Sequence, residues 1–458
     1  MNEIGRLIKK GQSVVKSRGF NGFWIAWKSY IYKNLSILSF GTEKSGDVLV
    51  IGDCDINDLK DSGFIYKQIY DNKFNKKYLK LYDVFYFGDD VLIDGEIKNK
   101  IQKYNKLYID KAILGENKLL DYIQKNRKKK IIYVSSSTNI SGGVMVIAQH
   151  LQQLQDLGYN TLLVTQDVNV DMSWKEDFDM PILHIGQINK ECYGNDVVVA
   201  TFWDTVQFVR NIKSKNKYYL VQNKEHLFYK ISNPFYQKAK NTYLDNNLKF
   251  LTVSKWCQKW LEKEFNKKAK YIPNCIDINL FNKDVKPLKA KKNNKFRILI
   301  EGNPENDYKN VDEAFKITDS LDENNFEVWL VSYGGKPKKW YKYNRLFQKI
   351  PYFEMPAIYG SCDILLKTSK LESFSYPPLE MMACGGLCVV AGNEGNREYL
   401  NDNYNALVYK LGDINMAIKY INELNNDSNL RNKLVMGGVE TVKNRNLKRL
   451  KNELKNIF

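Results

Sequence analysis

At 458 residues the chain is longer than one hydrophobic core serves, and 43% hydrophobic content is enough to fill two or three domains. Lys and Arg number 70 against 52 Asp and Glu, a formal net charge of +18 that favours anionic partners; the lysines are spread along the chain, so a Lys- and Asn-rich, AT-biased genome accounts for the same excess. Seven scattered cysteines without a CxxC pair and three distant histidines argue against a disulfide framework and a metal site and fit a reducing cytoplasm, and no apolar run reaches the ~18 residues of a membrane helix.

Residues 1–40 predict a basic amphipathic helix, with Phe20, Phe23, Trp24, Trp27, Ile31 and Leu35 at three- and four-residue spacing among Lys9, Lys10, Lys16, Arg18, Lys28 and Lys33. Such a helix suits the headgroup region of an anionic leaflet and suits equally well packing on the protein's own body. No hydrophobic core of signal-peptide type is present there. Residues 41–130 alternate "DVLVIGD", "YDVFYFGDD" and "NKLYIDKAIL" with polar helical stretches, which predicts a small parallel α/β unit. Asp53, Asp55, Asp58, Asp89 and Asp90 follow its strands and read as solvated loop ends rather than a metal or nucleotide site.

Residues 131–286 predict a doubly wound domain: a strand in "KKIIYVSSS", a Gly-rich turn and helix in "SGGVMVIAQHLQQLQDLGY", then strands in "NTLLVTQ", "PILHIG", "DVVVATFW", "KYYLVQN" and "KFLTVS". "EDFDM" contains a DxD pattern and reads as a surface loop. The polar, basic stretch 282–295 is a linker. A second such domain, 287–440, runs through "FRILIEGN", "FEVWLVS", "DILLKTS", "GLCVVAG" and "NALVYK", and a helix closes the chain at 441–458. Two doubly wound domains leave a cleft between them, faced by the carboxyl ends of both sets of strands.

Glu372 and Glu380 sit eight positions apart around Pro377 and Pro378, where strand gives way to helix. Prolines cost nothing in a first turn, so the amides near Phe374, Ser375 and Tyr376 point out of a helix start and attract phosphate. Glu380 falls about one turn inside, on a stretch otherwise apolar, where a carboxylate suits a sugar diol. Gly142 and Gly143 allow close backbone approach at the corresponding helix start of the first domain.

The stretch from Glu372 to Glu380 resembles the E-x7-E motif of retaining GT-B glycosyltransferases of family 4, and "GGLCVVAGNEGNREYLNDNYNALVY" resembles the segment that follows it there. "SGGVMVIAQHLQQLQDLGY", "VSKWCQKWL…YIPNCID" and "ILIEGNPENDYKNVDEAF" resemble further family segments, in family order from about Ile131 to Lys410. The resemblance implies that Glu380 holds the ribose hydroxyls and Glu372 the donor sugar, that amides near Phe374 and Ser375 with Gly143 opposite cradle the diphosphate, and that Lys309 neutralises the leaving group. Many members carry an arginine about where Asn303 or Pro304 stands, so one phosphate cation is unassigned. His226 and Glu225, with Asn223 beside them, would meet the reacting sugar or the acceptor; the alternative is a polar loop. Their stretch resembles a Q-(D/N)-x-E pattern in some bacterial rhamnosyltransferase-like members, which would imply a deoxyhexose donor.

The function expected is therefore a metal-independent, retaining hexosyltransferase without cofactor. It would move a sugar from a nucleotide-diphospho-sugar to a glycan or lipid-linked glycan for cell-surface polysaccharide, in the cytoplasm or at the inner membrane face through residues 1–40, with no nucleic-acid partner. A GT-B nucleotide-sugar epimerase and a non-catalytic basic nucleic-acid- or membrane-binding protein are the alternatives.

Overall fold

A computed structural model describes residues 44–458 apart from positions 53, 55, 61, 63, 71–73, 89–90, 92, 116–117, 192–195 and 289–294. The expected 1–40 helix, the acidic residues at 53, 55, 89 and 90 and the side chain of Asp58 lie outside the described residues. Three parallel sheets follow one another along the chain. The first holds β1 (Val48–Ile51), β2 (Tyr66–Ile69), β3 (Val84–Phe87) and β4 (Leu107–Asp110) in the order β2-β1-β3-β4. The second comprises β5 (Lys130–Ser135), β6 (Asn160–Thr165), β7 (Ile182–His184), β8 (Val197–Ala200), β9 (Asn216–Val221), β10 (Lys249–Thr252) and β11 (Ala269–Tyr271), ordered β11-β10-β9-β8-β5-β6-β7. The third comprises β12 (Phe296–Glu301), β13 (Phe326–Ser332), β14 (Arg345–Gln348), β15 (Ile364–Lys367), β16 (Leu387–Gly392) and β17 (Leu407–Lys410), ordered β14-β13-β12-β15-β16-β17.

The central strands are apolar through their middles because helices cover both faces of a parallel sheet; β8 and β16 carry no charged side chain, and β5 places Lys130 and Ser135 at its ends. β2 ("YKQI") and β14 ("RLFQ") escape a hydrophobic reading because each lies at a sheet edge and is half polar. Five helices position the cleft or bridge it: α1 (Gly142–Asp156), α2 (Pro234–Thr242), α3 (Val311–Thr318), α4 (Tyr376–Ala383) and α5 (Leu447–Ile457).

The first unit is not a free appendage. Leu49, Ile51, Phe85 and Phe87 share one core with Ile132, Val134 and Val198 of the second sheet. Behind that core lies a buried charge cluster. Lys130 bonds Asp83 at 2.7 Å, Lys106 and Arg127 each approach Asp83 to 3.5 Å, and Arg127 pairs with Asp196 at 2.6 Å. Burial alone would raise the Asp83 carboxyl, yet Lys130, Lys106 and Arg127 hold it well below the usual carboxylate range. The "EDFDM" loop docks here too: Asp179 accepts from Lys103 and, at 3.0 Å, from the Tyr104 hydroxyl. Of its DxD, Asp179 is a contact with the first unit, while Asp177 accepts from Gln152 Nε2 at 2.9 Å, and neither lines the cavity.

The two larger domains are also tied to each other. Tyr376 Oη donates to Gln149 Oε1 at 3.2 Å, the Tyr352 amide donates to the Trp174 carbonyl at 3.1 Å, and Glu398 accepts from the Lys255 amide at 3.0 Å and from Tyr271 Oη at 2.7 Å. Beyond α4's domain the chain returns, and α5 packs on α1 of the first large domain. Lys129 Nζ donates there to the Phe458 carbonyl at 3.1 Å, and the Phe458 ring lies 5.5 Å from Tyr218. Among the described residues no helix is long and apolar enough to cross a membrane.

Candidate active site

The carboxyl ends of β12 and β15 carry two charged residues, Glu301 on the cavity wall and Lys367 behind it. Lys367 is buried and bonds both the Glu301 carboxylate and, at 3.0 Å, the Glu301 carbonyl. Glu372 follows five residues on. Its Oε1 accepts from Lys309 Nζ at 2.8 Å and lies 3.9 Å from Lys367. Burial would raise the Glu372 carboxyl, but Lys309 and Lys367 outweigh it and hold it below its ordinary range. The same pairing keeps Lys309 charged: burial alone would lower it, and Glu372 and Glu301 raise it above the usual lysine range.

α4 begins immediately after this loop. Pro377 and Pro378 stand in its first turn, and Ser375 at its N-cap has φ +69° and ψ 100°. A non-glycine residue in that region stores roughly 1–3 kcal/mol of strain. The surroundings hold it there: Tyr399 Oη donates to the Ser375 carbonyl at 2.5 Å. Gly395 presses on the same loop. A Cβ at that position would sit 2.1 Å from the Glu372 carbonyl oxygen, so only glycine fits.

Glu380, a turn into α4, is buried, and each of its oxygens accepts a hydroxyl: Tyr352 Oη at 2.7 Å and Tyr359 Oη at 2.8 Å. Burial pushes its carboxyl up to about 7 against the pull of those two bonds. A carboxyl poised at that value changes charge near neutrality, and a ligand diol has two tyrosine hydroxyls with which to exchange.

Across the cleft, Ser141 caps α1 by accepting from the Val144 amide at 3.2 Å, which leaves Gly142 and Gly143 facing the cavity. A Cβ on Gly142 would meet nothing, whereas one on Gly143 would come within 3.4 Å of the Gln222 side chain. Glu225 is buried; its Oε2 accepts from the Trp203 amide and from Tyr219 Oη, both at 2.7 Å, and its Oε1 has no hydrogen-bond partner. Burial raises this carboxyl to about 8, above what its hydrogen bonds can offset.

The cavity between the walls has a volume of about 560 Å³, within the ~300–1,000 Å³ usual for small-molecule sites. It is lined by Glu372, Lys309, Glu380, Gly142, Gly143, Asn303, Phe374, Ser375, Tyr376, Glu225 and Asn223, so nearly all the residues singled out from sequence converge on one space. His226 is the exception and corrects the expectation. Its ring is buried against Trp260, with centroids 5.9 Å apart, and edge-on to Tyr236 and Tyr243, and it does not line the cavity. The Glu225–Phe228 turn turns neighbouring side chains in different directions, so Glu225 reaches the cleft and His226 faces inward.

Sequence reasoning missed Glu301, Tyr308, Tyr352, Tyr359 and Lys367. The available signals were a lone glutamate ending "RILIE" and a lone lysine ending "DILLK", charges at the carboxyl ends of otherwise apolar strands. Asn303, where an arginine was looked for, packs on Gly334 and Gly335, and its Oδ1 accepts from the Glu305 amide at 2.9 Å. Lys309 is the lone Lys or Arg on the cavity wall among the described residues, with Lys367 behind Glu301 and Glu372. No group of three or more His, Cys, Asp or Glu among the described residues is placed to hold a metal ion.

Residues 282–440 match the family described as glycosyl transferases group 1. The two larger domains together have the GT-B fold, and the second of them carries the glycosyl transferases group 1 match. Among solved structures it is similar to Anabaena HepE in complex with UDP-glucose, at TM-score 0.58 and 14% identity over 72% of this chain and 98% of that one. A glycosyltransferase from Rickettsia africae aligns at TM-score 0.55 and 18% identity over 72% and 97%. WaaG, a glycosyltransferase involved in lipopolysaccharide biosynthesis, aligns at TM-score 0.56 and 14% identity over 72% and 99%. No curated protein matches the chain in sequence.

Proposed function

We propose that this glycosyltransferase takes its sugar from a nucleotide-diphospho-sugar, retains the anomeric configuration, needs no metal ion, and delivers to a glycan or lipid-linked glycan acceptor for cell-surface polysaccharide. The observation that carries the reading is the arrangement of Glu372, Lys309 and Glu380 around the strained turn at Ser375. A carboxylate on a fixed ammonium, a helix start and a second carboxyl one turn on suit in sequence a sugar, a diphosphate and a ribose. The UDP-glucose bound to HepE and the lipopolysaccharide role of WaaG support the donor and acceptor classes.

In this reading the ribose hydroxyls displace the Tyr352 and Tyr359 hydroxyls from Glu380. As the anomeric carbon–oxygen bond breaks, positive charge grows on the sugar and negative charge on the departing diphosphate. Lys309 and the amides around Phe374 and Ser375 stabilise that negative charge from positions set before the reaction, an effect worth several kcal/mol in a water-poor site. Glu372, kept ionised by its lysines, accepts hydroxyls of the donor sugar.

The test is a thermal-shift screen against UDP, GDP, dTDP, ADP and CMP on the wild type and on Glu380→Ala. A nucleotide at a hundred times its Kd stabilises by roughly 2.7 kcal/mol. The expected result is a shift by one nucleoside diphosphate, lost in the variant and retained in EDTA; absence of any shift sinks the reading. NMR of the product's anomeric proton then reads retention.

A further inference from the structure

The wall of the first large domain carries a surface that the transfer chemistry does not use. Ile231 is 82% exposed, and Leu227, Phe228 and Phe235 are exposed beside it, four large apolar side chains within nine residues of the Glu225–Phe228 turn and the start of α2. A lone exposed leucine is ordinary, whereas a cluster marks a contact surface. Along the segment itself the charge has one sign, and beside it Lys224 lies 3.7 Å from Glu264. Lys230 and Lys238 are exposed, Lys224 and Lys240 are half-buried, and no Asp or Glu occurs between His226 and Leu244.

The patch also continues into the cleft. Ring centroids step from Phe235 to Trp203 at 5.6 Å, from Trp203 to Phe202 at 6.2 Å, from Phe202 to Phe228 at 6.5 Å and from Phe228 to Tyr308 at 5.5 Å. Tyr308 adjoins Lys309, and Phe202, Phe228 and Tyr308 line the cavity. An aromatic track therefore joins the exposed apolar residues to the donor charges.

We infer that the 227–238 surface docks on an anionic lipid bilayer, with Leu227, Ile231 and Phe235 entering the headgroup boundary and Lys230 and Lys238 on acidic headgroups, so that the cleft mouth opens at the membrane. Apolar side chains rimmed by lysines are the composition that binds such an interface, each lysine contributing about 1 kcal/mol near an acidic leaflet. Docking itself stands on this surface; that it presents a lipid-linked acceptor to the cleft rests on the function proposed above. It requires nothing of residues 1–40.

The experiment is co-sedimentation of the full chain with phosphatidylcholine vesicles containing phosphatidylglycerol, against phosphatidylcholine alone. The wild type is compared with Leu227→Ser/Ile231→Glu and with Lys230→Glu/Lys238→Glu. All four positions lie off the cavity wall, so melting temperature and vesicle-free hydrolysis of the donor are expected to stay as in the wild type, which separates failure of docking from failure of the transferase reading. The expected result is preference for the acidic vesicles, reduced roughly tenfold or more in each double variant. Wild-type binding by both variants overturns the proposal and leaves the membrane to another part of the chain. Loss of binding to single-stranded RNA in these variants, with vesicles ignored by the wild type, overturns it in favour of a nucleic-acid surface.

Discussion

The two walls of the cleft are built from different materials. On the 287–440 side the charges of the donor loop stand in pairs, Glu372 on Lys309 and Lys367 on Glu301, and Glu380 is held between two tyrosine hydroxyls. The facing wall offers glycine backbone, aromatic rings and Glu225, a single buried carboxyl. The contrast follows from what each wall would hold. A leaving diphosphate develops charge that must find fixed partners, and charges can stand in a buried cleft only if paired in advance. An acceptor brings no such demand, and its wall is free to be apolar.

If that division is right, Lys309→Met is the most damaging change. It removes the lone cation of the cavity wall among the described residues, and about 2.7–4 kcal/mol of transition-state stabilisation, a loss of roughly a hundred- to a thousandfold in kcat, is expected in donor-hydrolysis kinetics. A loss of under tenfold would break the comparison. Gly395→Ala comes next. Its new methyl would overlap the Glu372 backbone, so about 1–3 kcal/mol of destabilisation is expected by chemical denaturation, along with lower kcat. Glu225→Gln keeps the acceptor oxygen for Trp203 and Tyr219 and alters only the unpartnered one. Acceptor KM should rise, by less than about tenfold, with donor hydrolysis unchanged; the reverse pattern would assign Glu225 to the donor side.

The smallest effect separates the two glutamates of one wall. Glu380 has an ordinary value of 4.5 and a folded value of about 7, so between those pH values the folded state holds the extra proton. The stability this gives is complete below 4.5 and is lost as pH rises through about 7. Glu372, lowered by its lysines, has the opposite sign: its contribution is present above 4.5 and is lost as pH falls through its depressed folded value. The melting temperature of the wild type minus that of Glu380→Gln should therefore fall from pH 5 to pH 8. A flat difference would mean that Glu380 does not titrate there.

How much of this could be read from sequence depended on how locally each feature was encoded. Glu372, Pro377, Pro378 and Glu380 sit within nine positions, and their strand-to-helix setting is visible in the letters. Tyr352, Tyr359 and Glu301 reach the same pocket, with Lys367 behind Glu301, only because β12, β15 and the 352–359 stretch converge, a fact of tertiary packing that no local pattern states. His226 was misread because a polar stretch at a strand end does not reveal which way each side chain of a short turn will point. Most strands followed from apolar runs, and those that escaped, β2, β11 and β14, are edges whose side chains need not be apolar.

The return of α5 to α1 also orders events during synthesis. Lys129 and the carbonyl it bonds at Phe458 are 329 positions apart, so at ribosomal speed of about 5–20 residues per second Lys129 waits roughly 16–66 s for its partner. The apolar α1 face of the first large domain needs shielding through that interval, and a fragment stopped at the inter-domain stretch would keep that face bare. The two halves of this enzyme are therefore separable as folds but not as polypeptides, since one of them borrows a helix made after the other is finished.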